Sequence, residues 1–433
     1  MEVTRRNFLQ TTAVLAGTAK LARPAANDRI TVAMIGCGAR AHELMAAILE
    51  HPQAEIVGLV DAYQGRIERA LHRVKGRAKQ YPDIQAVLAD KSVDAVVVAT
   101  PDHLHKQMIV DAVKAGKDVY SEKPMTYRSS EGNEIIAAAR ENNRVVQVGS
   151  QGVSSAEQRA AKEMIAAGKL GKITMIRAAY NRNTASGAWI YPIPPDASPK
   201  TVNWDMFLGS APKRPFDLER FFRWRCYEDY SGGIATDLFV HLCTTIHFLM
   251  DAKAPARAVA LGQLYRWKES RDVPDTINAV LEYPEGFAVN LSSTFNNEMA
   301  AEGNFQILGT EGALTLGGAL TFFPENARED NRWIVESWPL ALEEAYWKDP
   351  KVIATELAPA KRPKNQPEKI RTANTDATVE HFRHFFESVK TRKPYWEDAG
   401  AGHQAAACAH LVNLAARERR MTEWDFSKND IKA

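Results

Sequence analysis

"ITVAMIGCGARA" (residues 30–41) runs from an apolar, β-branched strand through a glycine turn into the start of a helix. Gly36, Gly38 and Ala41 occupy the three small-residue positions of a G-x-G-x-x-G/A loop. The first glycine permits the tight turn, the second lets a pyrophosphate approach the backbone, and the small third residue lets helix pack on strand. The helix start beyond it, at Ala39 and Arg40, offers free N–H groups and a positive dipole end to phosphates. Alone the loop is a weak signal, and its surroundings strengthen it. The next strand, "AEIVGLVD" (54–61), ends in Asp61, placed to bond the adenosine ribose hydroxyls and repel a 2′-phosphate. NAD is therefore expected over NADP.

Working outward, "DAVVVAT" (94–100), "DVYSEKP" (118–124) and "RVVQVGS" (144–150) also read as strands, with helical stretches between them. Alternating strand and helix over this length predicts an α/β, doubly wound parallel sheet, a Rossmann domain spanning 27–150. Beyond Ser150 the pattern changes to strands of alternating polarity with Gly and Pro-Glu-Gly turns, such as "TINAVLEYPEG" (276–286). This predicts a C-terminal α+β domain, 151–433, with a large, mainly antiparallel sheet. Within it, 328–376 reads as a surface excursion, and the two final helices are placed to pack back on the first domain.

The chain has 433 residues, enough for two cores, and its formal charge of +2 predicts neither a nucleic acid nor an anionic membrane as partner. No run approaches the eighteen apolar residues of a membrane span. The four cysteines, Cys37, Cys226, Cys243 and Cys408, have no zinc-ligand or CxxC spacing, and no metal constellation is found. A disulfide framework is not expected, although pairing in space stays open. At the N-terminus, "TRRNFLQ" (4–10) precedes a modest apolar run and reads as a twin-arginine (Tat) export signal over residues 1–26, with small residues for cleavage at Ala19 or Ala26. The alternative is a plain basic tail. Without those 26 residues, which carry four basic side chains and one acid, the formal charge falls to −1. An exported, periplasmic location follows from the signal, with the Tat machinery as partner. Because that route carries folded proteins, a cofactor loaded beforehand would have to be tightly bound.

Three further motifs complete the pattern. Thr100-Pro101 precedes His105, "AGKDVYSEKP" ends in Glu122-Lys123-Pro124, and "SGGIATDLFVH" carries Asp237 and His241 four residues apart on one helix face. With the glycine loop, these resemble the Gfo/Idh/MocA family of nicotinamide-dependent oxidoreductases, from about Arg29 onward. The resemblance implies an oxidoreductase acting on CH–OH groups of sugars or polyols. It implies Lys123, Asp237 and His241 as the catalytic set, with His241 or Lys123 as the formal base. It also implies cofactor contacts from Gly36, Gly38, Ala39, Arg40, Asp61, Thr100, Pro101, His105, Glu122 and Lys123. A homodimer or homotetramer through the antiparallel sheet follows from the same likeness. His247 reads as a core histidine, and His403 and His410 as either structural or site-lining.

The stretch 180–230 is dense in aromatic and polar residues, suited to stacking on sugar rings and bonding hydroxyls. Tyr180, Asn181, Arg182 and Arg225 are its substrate-binding candidates, the plainer reading being core or interface packing. The competing functions are an NAD-dependent glycosidase, which would oxidise transiently and eliminate, and a non-catalytic sensor. The intact Asp237…His241 pair favours the dehydrogenase.

Overall fold

The computed structural model describes residues 29–299, 304–325, 331–358 and 365–432. The twin-arginine segment lies outside the described residues. The first domain is built from β1 (Ile30–Ile35), α1 (Ala39–Leu49), β2 (Ala54–Val60), α2 (Gln64–Arg73), β3 (Lys79–Gln80), α3 (Ile84–Ala89), β4 (Ala95–Val98), α4 (Asp102–Lys114), β5 (Asp118–Glu122), α5 (Glu131–Glu141) and β6 (Val146–Gly149). Its six strands lie in the order β3-β2-β1-β4-β5-β6, every pair parallel. β4, β5 and β6 are buried at every residue, and β4 accordingly runs apolar without alternation. The order reverses between β1 and β4, and ligands bind such sheets at the carboxyl ends of the strands flanking that point.

The second domain comprises α6 (Ala156–Ala166), β7 (Ile173–Ala179), α7 (Val240–Met250), β8 (Arg257–Gln263), β9 (Thr276–Glu282), β10 (Ala288–Thr294), β11 (Phe305–Gly309), β12 (Gly312–Leu316), β13 (Thr321–Pro324), β14 (Glu368–Lys369), α8 (Ala377–Thr391), α9 (Ala399–Glu418), β15 (Thr422–Asp425) and β16 (Asp430–Ile431), with several shorter helices between. Its ten strands form one sheet, β14-β13-β12-β11-β7-β10-β9-β8-β15-β16. Among the described strands of this sheet, only the β7–β10 pair is parallel. β9 and β10 alternate buried and open residues, so the sheet hides one face under helices and leaves the other uncovered. A groove of about 1010 Å³ lies on that open face, bordered by Arg177, Val259, Leu261, Val280 and Met421.

α8 and α9 return to the first domain. Phe382, Phe385 and Phe386 of α8 share one apolar core with Ile30, Val32 and Met34 of β1. α9 sits close against β6 because Gly402 has no side chain: a Cβ there would lie 2.5 Å from Val148. Gly132 of α5 likewise seats His403 of α9, whose Nε2 meets the Asn429 carbonyl at 2.9 Å. In the stretch expected to be a surface excursion, residues 331–358 form short helices with Val335 and Val352 buried and Trp333, Leu340 and Leu342 exposed.

Candidate active site

The site is assembled where β5 ends. Lys123 follows β5 and is linked to Pro124 by a cis peptide bond. Its ammonium donates to Asp237 Oδ1 at 2.9 Å and to the Asp237 carbonyl at 2.6 Å. An ammonium carries three N–H donors, so one remains for a ligand. Arg225 Nε donates to the same Asp237 Oδ1 at 3.0 Å, and its guanidinium lies over the Trp224 ring. Asp237 is thus a buried carboxylate between two cations. Burial alone would raise its pKa, but Lys123 and Arg225 outweigh that and hold it well below the usual carboxylate range.

Asp237 sits in a π-helical turn, Ala235–Phe239, that runs directly into α7 and its His241. Such turns recur at functional sites because one extra residue per turn re-aims the side chains. The His241 ring makes no hydrogen bond among the described residues. Burial, reinforced by the Lys123 charge, lowers its pKa to about 3, so it is a neutral imidazole with a free lone pair at ordinary pH.

Asp102, the first residue of α4, is a second buried carboxylate in this group. Among the described residues its side chain accepts one long contact, from Thr236 Oγ1 at 3.4 Å. Burial and, further, the Asp237 charge raise its pKa to about 6. Tyr191 also belongs here: burial raises its pKa, and Arg225, Asp237 and Arg182 are the charges it feels. Sequence reasoning named neither as a site residue, although Tyr191 lies within the aromatic stretch and Asp102 directly follows Thr100-Pro101.

The glycine loop shows what each of its residues is for. Gly36 has a φ of +90°, and a Cβ there would come within 2.5 Å of the Ala99 carbonyl, so internal geometry demands glycine. A Cβ at Gly38 would meet nothing nearer than the Arg66 guanidinium at 3.7 Å. No internal packing requires that second glycine, which leaves the space above it for an incoming group. Helix α1 starts at Ala39 with no side-chain cap, so its first N–H groups are available to an anion. Asp61 Oδ2 accepts from the Cys37 N–H at 2.7 Å, and Oδ1 from the Tyr63 N–H at 2.8 Å. A cavity of about 590 Å³ opens beside Asp61 between Ile67, Tyr81, Thr201 and Trp204. The open space at Gly38, the uncapped helix and this cavity fit a dinucleotide.

The other candidates are placed as follows. Arg40 Nε donates to Glu122 Oε1 at 2.9 Å, and Gln151 Nε2 reaches the same oxygen at 2.9 Å, so Glu122 and Arg40 hold each other at the carboxyl end of β5. The Glu122 charge more than offsets burial and raises the Arg40 pKa. His105 is fully buried, with Nδ1 against the Pro124 carbonyl at 2.7 Å and Nε2 against the Thr100 carbonyl at 2.9 Å. It ties the Thr100-Pro101 loop to the loop behind Lys123 and presents no ring atom to a ligand. Arg182 stacks on the half-exposed Tyr180 near His241. Asn181 is committed to backbone, donating to the Met299 carbonyl and accepting from the Thr294 N–H. It lines a separate cavity with Tyr265 and Thr276, without Lys123. His410 meets Thr126 Oγ1 at 3.0 Å in the buried interior.

With this geometry in place, two matched regions carry the assignment. Residues 30–150 match the family described as "Oxidoreductase family, NAD-binding Rossmann fold", and residues 158–315 match the "GFO/IDH/MocA C-terminal domain". The chain belongs to the Gfo/Idh/MocA oxidoreductase family. Among family relatives, the 1,5-anhydro-D-fructose reductase of Ensifer adhaerens is 25% identical over 291 residues, 67% of this chain and 77% of that protein. The scyllo-inositol 2-dehydrogenase (NAD(+)) of Bacillus subtilis is 23% identical over 268 residues, 61% of this chain and 67% of its own length. In overall fold the chain is similar to levoglucosan dehydrogenase, solved with NADH and levoglucosan, with a TM-score of 0.67 at 17% identity over 91% of this chain and 99% of that one. It is similar also to the aldose-aldose oxidoreductase of Caulobacter crescentus, with a TM-score of 0.66, the same identity and the same two coverages.

Two outcomes are expected. Gly38→Ala should fold normally and weaken dinucleotide binding at least about tenfold, whereas Gly36→Ala should lower the melting temperature; fluorescence titration and thermal unfolding separate them. Asp237→Asn should cost about 3 kcal/mol at neutral pH by leaving two cations unpaired. A depressed acid stabilises above its unfolded value, so the gap to wild type should persist above about pH 5 and narrow below about pH 4. Denaturant melts across pH check this.

Proposed function

We propose that this oxidoreductase exchanges hydride between a bound NAD and a hydroxyl-bearing carbon of a sugar or polyol. One observation carries the reading: the His241 imidazole, neutral and unpaired among the described residues, feels the charge of the Lys123 ammonium, which keeps one donor to spare. The named activities of the family relatives, on anhydrofructose and inositol, support the substrate class. A nicotinamide dinucleotide, when bound, supplies the hydride acceptor. The chain's own residues do the rest. His241 takes the hydroxyl proton at its free ring nitrogen. Lys123 donates its remaining N–H to the reacting oxygen and steadies negative charge as it develops there. Asp237 holds the ammonium in that orientation, and Arg225, although expected on the substrate side, acts here by pairing with Asp237. Tyr191, Arg182 and Tyr180 form the aromatic and cationic wall for the ring and hydroxyls.

Asp61 supports NAD over NADP, although Arg66, 3.7 Å from its carboxylate, is a cation at the same end of the site. A tightly held cofactor is favoured by a strap from the second domain. Asn203 N–H bonds the Ala62 carbonyl, Gln64 N–H bonds the Thr201 carbonyl, and Tyr63 Oη donates to Asp196 at 2.6 Å, all beside the Asp61 cavity. Arg5 and Arg6 support export by the twin-arginine route to the periplasm, which a retained and locally regenerated cofactor suits. The uncovered face of the large sheet supports assembly as a homodimer or homotetramer, which sedimentation would register as a mass well above 48.1 kDa.

The deciding assay offers purified protein NAD with a panel of sugars and polyols, and NADH with the corresponding ketones. Net reduction or oxidation of nicotinamide is expected, with Lys123→Ala and His241→Ala each lowering kcat about 10²–10⁴-fold. Unchanged turnover in both variants would sink the assignment. Denaturing the protein as purified should release about one nucleotide per chain. Tyr63→Phe should retain less of it after gel filtration, and equal retention would remove the strap's role.

A further inference from the structure

Cys243 and Cys408, some 160 residues apart in the chain, meet in the interior on facing helices. α7 and α9 pack closely because α9 is lined with Ala405, Ala406 and Ala409. Both cysteines are fully buried. Cys243 and His247 are four apart on α7 and so share one face of it. The His247 Nε2 lies 3.5 Å from the Cys408 sulfur, so the α7 face that carries Cys243 is the one turned toward α9. The two thiols interact side chain to side chain. The Tyr283 hydroxyl completes the group, 3.4 Å from the Cys408 sulfur and 3.0 Å from His247 Nε2. Burial opposes ionisation of both thiols. At Cys408 the hydrogen bond from Cys243 and the neighbouring His247 ring outweigh that opposition, while burial pushes Cys243 up. In the packed state Cys408 is thus the more readily ionised of the two, and Cys243 holds its proton. Cys37 and Cys226 have no such partner among the described residues, their sulfurs facing the Val60, Ala188 and Trp189 carbonyls and the Arg271 guanidinium.

We propose that Cys243 and Cys408 are a dithiol–disulfide pair that joins α7 to α9 under oxidising conditions. The chemistry is ordinary exchange with a small disulfide such as oxidised glutathione. The Cys408 thiolate attacks one sulfur of the oxidant and expels a glutathione thiolate. The Cys243 sulfur then displaces the second glutathione from the mixed disulfide. Two protons leave the protein thiols, two electrons pass to the oxidant, and one S–S bond is formed for the one broken. His247, beside the Cys408 sulfur, is placed to receive its proton. Because both sulfurs are buried, exchange requires the two helices to part, during refolding or local opening. The bond would pin the helix that carries Asp237 and His241 at its N-terminal end to the helix that spans both domains. This inference does not depend on the substrate or on export.

The test unfolds the full chain in denaturant and refolds it in a glutathione buffer, oxidised or reduced. Remaining thiols are then alkylated, and the non-reduced digest is read by mass spectrometry. The expected result is a Cys243–Cys408 cross-linked peptide, two hydrogens lighter than its parts, with Cys37 and Cys226 alkylated. Both cysteines alkylated after oxidative refolding, or either joined to Cys37 or Cys226, would overturn the proposal. The oxidised protein should melt about 5 °C above the reduced one, the effect of closing so long a loop. Cys243→Ser should abolish that difference, and its survival in the variant would also count as refutation.

Discussion

The ion pair between Lys123 and Asp237 joins the two domains at the candidate site. One partner ends a strand of the parallel sheet, and the other sits in a π-helical turn of the second domain. Both are nearly dry, so neither charge has water to fall back on. Burying such a pair returns little net stability, because desolvation consumes most of the attraction. What it secures is geometry: separating the domains would leave an uncompensated charge on each side. Arg225 adds a second cation to the same oxygen, which keeps Asp237 ionised and leaves Lys123 one donor to spare.

The same economy holds at the carboxyl end of β5. Glu122, next to Lys123, is shared by Arg40 from the glycine-loop helix and Gln151 from beyond β6, and Gln151 also reaches the Tyr120 hydroxyl. His105 clamps two carbonyls that would otherwise be free to drift, those of Thr100 and Pro124. Several residues that look like ligand contacts in the sequence are thus the groups that hold ligand-facing backbone still. Preorganisation of this kind is what lets a few donors act on a transition state without first rearranging. The carboxyl-terminal helices reinforce it from behind, with Arg392 on Asp118 and the Gln147 amide on the His381 carbonyl.

Much of this was legible because it depends on local rules. A glycine at +90° beside a strand carbonyl, continuous apolar runs in strands buried on both faces, and alternation in strands buried on one face are all written in short windows of sequence. The doubly wound first domain and the mainly antiparallel second sheet follow from those windows and appear as expected. The candidate trio Lys123, Asp237 and His241 was nameable through its motifs. Arg225 and Asn181 were not separable by the same means, since both are polar residues in an aromatic stretch. Only contact distinguishes an arginine paired to Asp237 from an asparagine spent on the Thr294 and Met299 backbone.

By itself, then, the sequence determined the two folds, the dinucleotide loop and which side chains are candidates for the site, because each rests on residues close together in the chain. Tertiary structure decided their electrostatic states: that His241 is neutral, that Asp237 is charged, and that Asp102 and Tyr191 feel the Asp237 and Arg225 charges. It also decided that two cysteines far apart in the chain face each other. Ionisation and pairing depend on burial and on which charges lie across a few ångströms of space. Those quantities arise only once remote segments have packed.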